Sequence, residues 1–113
     1  MKPKKPTKLK KRRLKDHEID LLEASNLTAN YRDAQTETVY VKAQFFGTEG
    51  IQAILNQTDC IGIRIYYGLS NQGVPKLVLV GVNEAGNDQC EDIVLDKGIA
   101  CPPDCSEDNS LNC

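Results

Sequence analysis

Residues 60–83 read CIGIRIYYGLSNQGVPKLVLVGVN, and the reading of this stretch decides the fold. Ile61, Ile63, Ile65 and Tyr67 alternate with Gly62, Arg64 and Tyr66, the two-residue period of a strand with one apolar face. Ser70-Asn71-Gln72-Gly73 then supplies turn formers and a glycine able to take positive φ. The run Leu77–Val82 is almost unbroken Leu and Val, as in a strand covered on both faces or paired on both sides. Pro75 has no N–H for a ladder and is confined to the beginning or edge of that strand. Together these runs predict an antiparallel hairpin.

Working upstream, Ile19, Leu22, Leu27 and Tyr31, with Leu21 and Ala24 alongside, approximate one helical stripe and predict a helix over 17–34. Asp16, Glu18, Asp20 and Glu23 fall in its early turns, where negative charge complements the amide dipoles. Val39, Val41, Ala43 and Phe45 alternate with Tyr40, Lys42, Gln44 and Phe46 and predict a strand over 39–45, stopped by Gly47. A continued helix fits that stretch nearly as well. Thr48 reads as an N-cap, and Ile51, Ile54 and Leu55 share a face, which predicts a short helix over 49–57.

Downstream of the hairpin, Asn83–Asn87 reads as a turn leading to a third strand around Ile93-Val94-Leu95. The expected fold class is α+β: two helices packed on an antiparallel sheet of three or four strands containing a central hairpin. The expected organisation is a disordered basic arm over 1–15, a small single domain over 16–100 and a loosely ordered Cys- and Pro-containing tail over 101–113. A domain of that size buries only about 60–65% of its unfolded surface, so a disulfide, a metal or a second subunit would add useful stability.

Charge is divided along the chain. Residues 1–15 hold seven Lys and two Arg with no acid, whereas the rest holds five bases against all sixteen acids. Lys4, Lys5, Lys8, Lys10, Lys11, Arg12, Arg13 and Lys15 are the candidate contacts to a polyanion such as nucleic acid, held by counterion release. No aromatic interrupts the arm, which leaves base stacking without support. The competing reading is a solubilising tail, the commoner meaning of a run of like charges. Only Leu9 and Leu14 follow Met1 among the Lys and Arg, so the apolar core of a secretory signal is missing and a cytoplasmic location is expected. No apolar run approaches the roughly 20 residues of a membrane-spanning helix.

Catalytic equipment is sparse. His17 is the only histidine, and it stands among charged neighbours where exposure is the expected state. Hydroxyl or thiol nucleophiles worked by a histidine, and two-histidine zinc helices, are therefore excluded. Asn83, Gly86, Asn87 and Asp88 faintly resemble an oxygen-rich calcium loop but lack its alternating acids and distal Glu, and a hairpin turn is the better reading. Arg64 either binds an anion or points to solvent, and solvent is preferred. Cys101-Pro-Pro-Asp-Cys105 is a C-x3-C segment whose spacing admits a zinc-ligand pair, with Cys60 and Cys90 as the remaining thiolates. A local Cys101–Cys105 disulfide and ordinary free thiols remain open beside zinc, the only cofactor under consideration.

The segments Leu22–Ser25, Leu27–Arg32, Phe45–Gly47, Cys60–Gly68, Leu77–Val82 and Cys101–Cys105, in this order and spacing, resemble a group of small uncharacterised bacterial proteins. That group has no assigned activity, so the resemblance implies no function. It implies that Cys60, Cys101 and Cys105 belong together, and that Cys90, Cys113 and the basic arm are additions. The leading functional expectation is a non-enzymatic interaction module that binds a protein partner or a second copy. Its alternatives are a cysteine site, zinc-binding or thiol-redox, and nonspecific nucleic-acid binding by the arm.

Overall fold

The computed structural model of the chain describes residues 9–112. After a 3-10 turn at Leu14–Asp16, the elements run α1 (Leu21–Asp33), β1 (Ala43–Phe45), α2 (Thr48–Leu55), β2 (Cys60–Leu69), β3 (Pro75–Asn83), β4 (Val94–Leu95) and β5 (Ile99–Cys101). This is an α+β fold with a three-stranded antiparallel sheet of order β2-β3-β4 and a two-stranded one of β1 and β5. The chain clusters into two compact units, one comprising Phe46–Gly98 with the described residues up to Lys11, the other Arg12–Phe45 with the residues from Ile99 onward.

In the first unit the hairpin forms as the sequence predicts. Ser70 carbonyl accepts from Gly73 N–H at 2.9 Å, and Gly73 takes φ 79°, a left-handed value that glycine adopts without steric cost. Ser70 Oγ also accepts from the Gln72 and Val74 amides at 3.2 and 3.1 Å, closing the turn. The register runs from Leu69↔Pro75 to Gly62↔Val82, with a bulge between Cys60 and Gly62. β3 is the central strand, and there Leu79, Val80 and Val82 are buried, which accounts for its unbroken apolar run.

Helix α2 covers one face of this sheet, packing on β2 and β3, and Ile54 is fully enclosed. Gly50 allows the approach: a Cβ there would stand 2.9 Å from Leu95 Cδ1. The helix is two residues shorter at its end than the predicted 49–57 and begins one residue earlier. Gly47 occupies the N-cap with no side-chain bond, so the reading of Thr48 as cap is corrected by one position.

In the second unit α1 starts later than the predicted 17–34. Asp20 Oδ1 accepts from Glu23 N–H at 2.8 Å, and this cap fixes the first turn at Leu21. The predicted strand over 39–45 contracts to β1, which pairs Ala43↔Cys101, Gln44↔Ala100 and Phe45↔Ile99. Upstream of it Tyr31 donates its hydroxyl to Val41 carbonyl at 3.1 Å and meets the Tyr40 ring edge-on at 6.3 Å. Strand β5 has no counterpart in the sequence reading, because three residues ending at a cysteine carry too little periodicity. The tail is tied back by Arg32, which donates to Leu111 carbonyl at 2.7 Å, and by Lys42, which donates to Asn112 carbonyl at 3.2 Å.

Candidate functional site

Strand β2 carries the features that matter. It is ten residues long, it ends the sheet order, and no described strand pairs with its outer side. Its backbone orientation follows from β3. Gly81 carbonyl accepts from Gln89 N–H at 2.8 Å, on the side away from β2, so the facing pair Ile63↔Gly81 exchanges no backbone bonds. By alternation Ile63, Ile65, Tyr67 and Leu69 direct their N–H and C=O groups outward, along the open edge. The same residues carry their side chains on the face that α2 only partly covers: Ile65 is 52% exposed, Tyr67 94% and Leu69 74%. An α-helix of eight residues spans about 12 Å, whereas ten strand residues span about 33 Å, so the far end of the ribbon extends beyond α2.

The opposite face holds a polar cluster. Arg64 donates to Asp88 Oδ1 at 2.6 Å and to Gly86 carbonyl at 3.3 Å, and Tyr66 donates its hydroxyl to Asp88 Oδ2. Arg64 is 38% exposed at its side chain and Asp88 18%. The two β2 side chains stand two residues apart on one face, so a single carboxylate can take both. Tyr66 has its pKa raised, first by the hydrogen bond to Asp88, then by desolvation and the Asp88 charge, against a smaller lowering by Arg64. The preferred reading of Arg64 as a solvent-facing residue is thereby corrected: it is half-buried and ion-paired.

Asp88 is positioned by the turn after β3. Asn83 Oδ1 accepts from Asn87 N–H at 3.0 Å, Asn83 carbonyl accepts from Gly86 N–H at 2.9 Å, and Gly86 takes φ 87°. The stretch that faintly resembled a calcium loop is thus a hydrogen-bonded turn presenting Asp88 to Arg64. This partnership is not legible in the sequence, since sixteen acids in one chain obscure any single pairing. Arg64 and Tyr66 at alternate strand positions are the one signal that pointed to it.

A second cluster, also unforeseen, anchors the base of the sheet. Gln57 Nε2 donates to Gln89 Oε1 at 3.2 Å, Gln89 Nε2 donates to Thr58 carbonyl at 2.8 Å, and Gln57 Oε1 accepts from Ile93 N–H at 2.8 Å. These amides lie across Gly81, where a Cβ would stand 2.5 Å from Gln89 Oε1 and 2.7 Å from Gln57 Nε2. The close approach of these amides, rather than the backbone angle, is what favours glycine there.

The cysteines divide. Cys101 and Cys105 form a disulfide with Cα atoms 4.8 Å apart; Cys101 is buried at the end of β5 and Cys105 exposed. Cys60 and Cys90 are free, with Cys60 Sγ 3.2 Å from Gly62 carbonyl. Among the described residues no group of three or more His, Cys, Asp or Glu comes together in a way that could hold a metal ion. Of the four cysteines considered as zinc ligands, Cys101 and Cys105 are joined to each other.

His17 is exposed. Of the arm residues, Lys10, Lys11, Arg12, Arg13 and Lys15 are exposed, whereas Lys4, Lys5 and Lys8, like Cys113, lie outside the described residues. No helix among the described residues is long and apolar enough to cross a membrane. Comparison with known proteins yields no match to any family model, curated protein or solved structure.

Proposed function

We propose that this chain is a small non-enzymatic interaction module that engages a protein by strand addition at the outer edge of β2. The observation that carries the reading is the open edge itself, with exposed Ile65, Tyr67 and Leu69 beside outward backbone groups. In strand addition the main-chain bonds supply affinity and alternate side chains supply selectivity, and β2 offers both. Arg64 and Tyr66, held by Asp88, keep the other face of the strand fixed while its edge remains open. A photoreactive benzoylphenylalanine in place of Tyr67 tests the reading. It should form protein adducts in cells, and the same group at the exposed Glu84 should not. Equal labelling from both positions, or none from position 67, would count against it.

A second reading is favoured by one specific observation, the disulfide between buried Cys101 and exposed Cys105. Here the pair acts as a thiol–disulfide couple: a dithiol reductant delivers two electrons and two protons, the S–S bond breaks, and two thiols form while the reductant becomes a disulfide. A couple of this kind suits a cytoplasmic setting, where a permanent disulfide is rare. Equilibration of the purified chain against glutathione buffers decides it. A pair that changes state across the cytosolic range supports the couple, and a pair that stays oxidised throughout removes it.

A further inference from the structure

The outer edge of β2 is complementary to itself, and we infer that its occupant is a second copy of this chain, joined by an antiparallel β2–β2 pair with Ile65 on the two-fold axis. The inference rests on the strand-addition reading and names the partner it takes. An isologous pair must match each residue with its reflection about the axis. In this register Ile65 faces Ile65 of the second copy and Ile63 faces Tyr67, and all four of these residues belong to the outward-directed set. Each facing couple can therefore exchange two backbone bonds at a Cα separation of about 5.5 Å. On the other face Gly62 meets Gly68 and Arg64 meets Tyr66, with no steric conflict between large side chains at either glycine pair.

Packing favours the same arrangement. Along this face of β2, Ile63 is half-buried, whereas Tyr67 and Leu69 at the other end stand bare. Antiparallel pairing lays the bare end of each strand beside the half-buried end of the other, so one operation buries both exposed ends. Electrostatics adds no obstacle, because Arg64 is the only charged residue on β2 and its own Asp88 already neutralises it. Like charges directly opposite would destabilise such a pair, and the register contains none.

Among the described residues the edge also lacks the usual protection. Open strands in monomers carry lysines, prolines or bulges that refuse a partner. The bulge of β2 lies at Cys60/Gly62, at one extremity, and the outward positions from Ile63 to Leu69 hold neither proline nor charge.

Light scattering on the full chain should return a mass near twice 12.5 kDa. Tyr67→Pro removes one outward N–H without touching a β2–β3 bond, and should raise the dimer dissociation constant about tenfold or more with unchanged far-UV circular dichroism. Tyr67→Lys, which leaves the backbone intact, should do the same, so a folding defect in one variant does not decide the matter. In the wild type the Ile63, Ile65 and Tyr67 amides should exchange slowly with solvent and lose that protection on dilution. A wild-type monomer, or a dimer indifferent to both variants, would overturn the inference. If the chain is a monomer but still forms adducts from position 67 with another protein, strand addition stands and only the second copy falls. A monomer without such adducts removes both.

Discussion

Asp88 is the residue on which one face of the hairpin depends. It neutralises Arg64 and accepts from Tyr66, so its removal leaves a half-buried guanidinium unpaired and a phenol without its acceptor. Asp88→Ala is expected to lower stability by about 1 kcal/mol, a modest figure because Arg64 is more than a third exposed and solvent screens the pair. Chemical denaturation with the m-value held constant measures it. The same contact gives a pH dependence. The Tyr66 pKa is raised above 10.0 in the folded chain, so its contribution is complete below that value and is lost as pH rises through the higher folded value. Following the Tyr66 ring carbon by NMR, Asp88→Asn should bring that titration back down toward 10.0. The amide replaces the charge-assisted bond to a carboxylate, the larger cause of the raise, with a weaker neutral one, and it also removes the charge that repels the phenolate.

At the scale of elements, the base of the sheet is fastened by two glutamine side chains lying over a glycine. Gly81→Ala places a methyl group against both amides, which are held in place by their own hydrogen bonds and cannot simply swing away. The expected cost is about 1–3 kcal/mol, read as a drop in thermal midpoint, with Gln89→Ala relieving part of it in the double variant. The loop after β5 carries a separate expectation. Alkylation of the denatured, unreduced chain followed by peptide mapping should label Cys60 and Cys90 and leave Cys101 and Cys105 unmodified until a reductant is added.

For the whole molecule the decisive quantity is how little apolar surface is enclosed. Among the described residues the buried hydrophobic set is Ile54, Leu79, Val80, Val82 and Cys101, while residues such as Leu22, Tyr67 and Leu69 stand largely exposed. Among the described residues, Ile54 is the side chain that is fully enclosed. Ile54→Ala should therefore cost about 2–4 kcal/mol, a large share of the 5–15 kcal/mol that holds a typical small domain together. A thermal melt followed by circular dichroism would show it as an early, broadened transition. An exposed apolar edge on so small a core also explains why a second copy is a physically reasonable occupant: association supplies burial that one chain of this length does not.

The hairpin, the approximate helices and the α+β class were legible in the sequence because they rest on local period and turn chemistry: alternation over 61–67, Gly73 at a positive φ, Pro75 at a strand start. What was not legible depends on residues far apart in the chain. Asp88 rather than any other acid reaches Arg64, Gln57 and Gln89 close over Gly81, β5 completes β1, and Cys101 pairs with Cys105. The sequence by itself determined which segments become strands and helices, since that choice is made within a few residues by backbone sterics and apolar spacing. Only the tertiary structure decided which strand ends the sheet, because an edge is defined by the absence of a neighbour, and no local pattern records what fails to pack beside it.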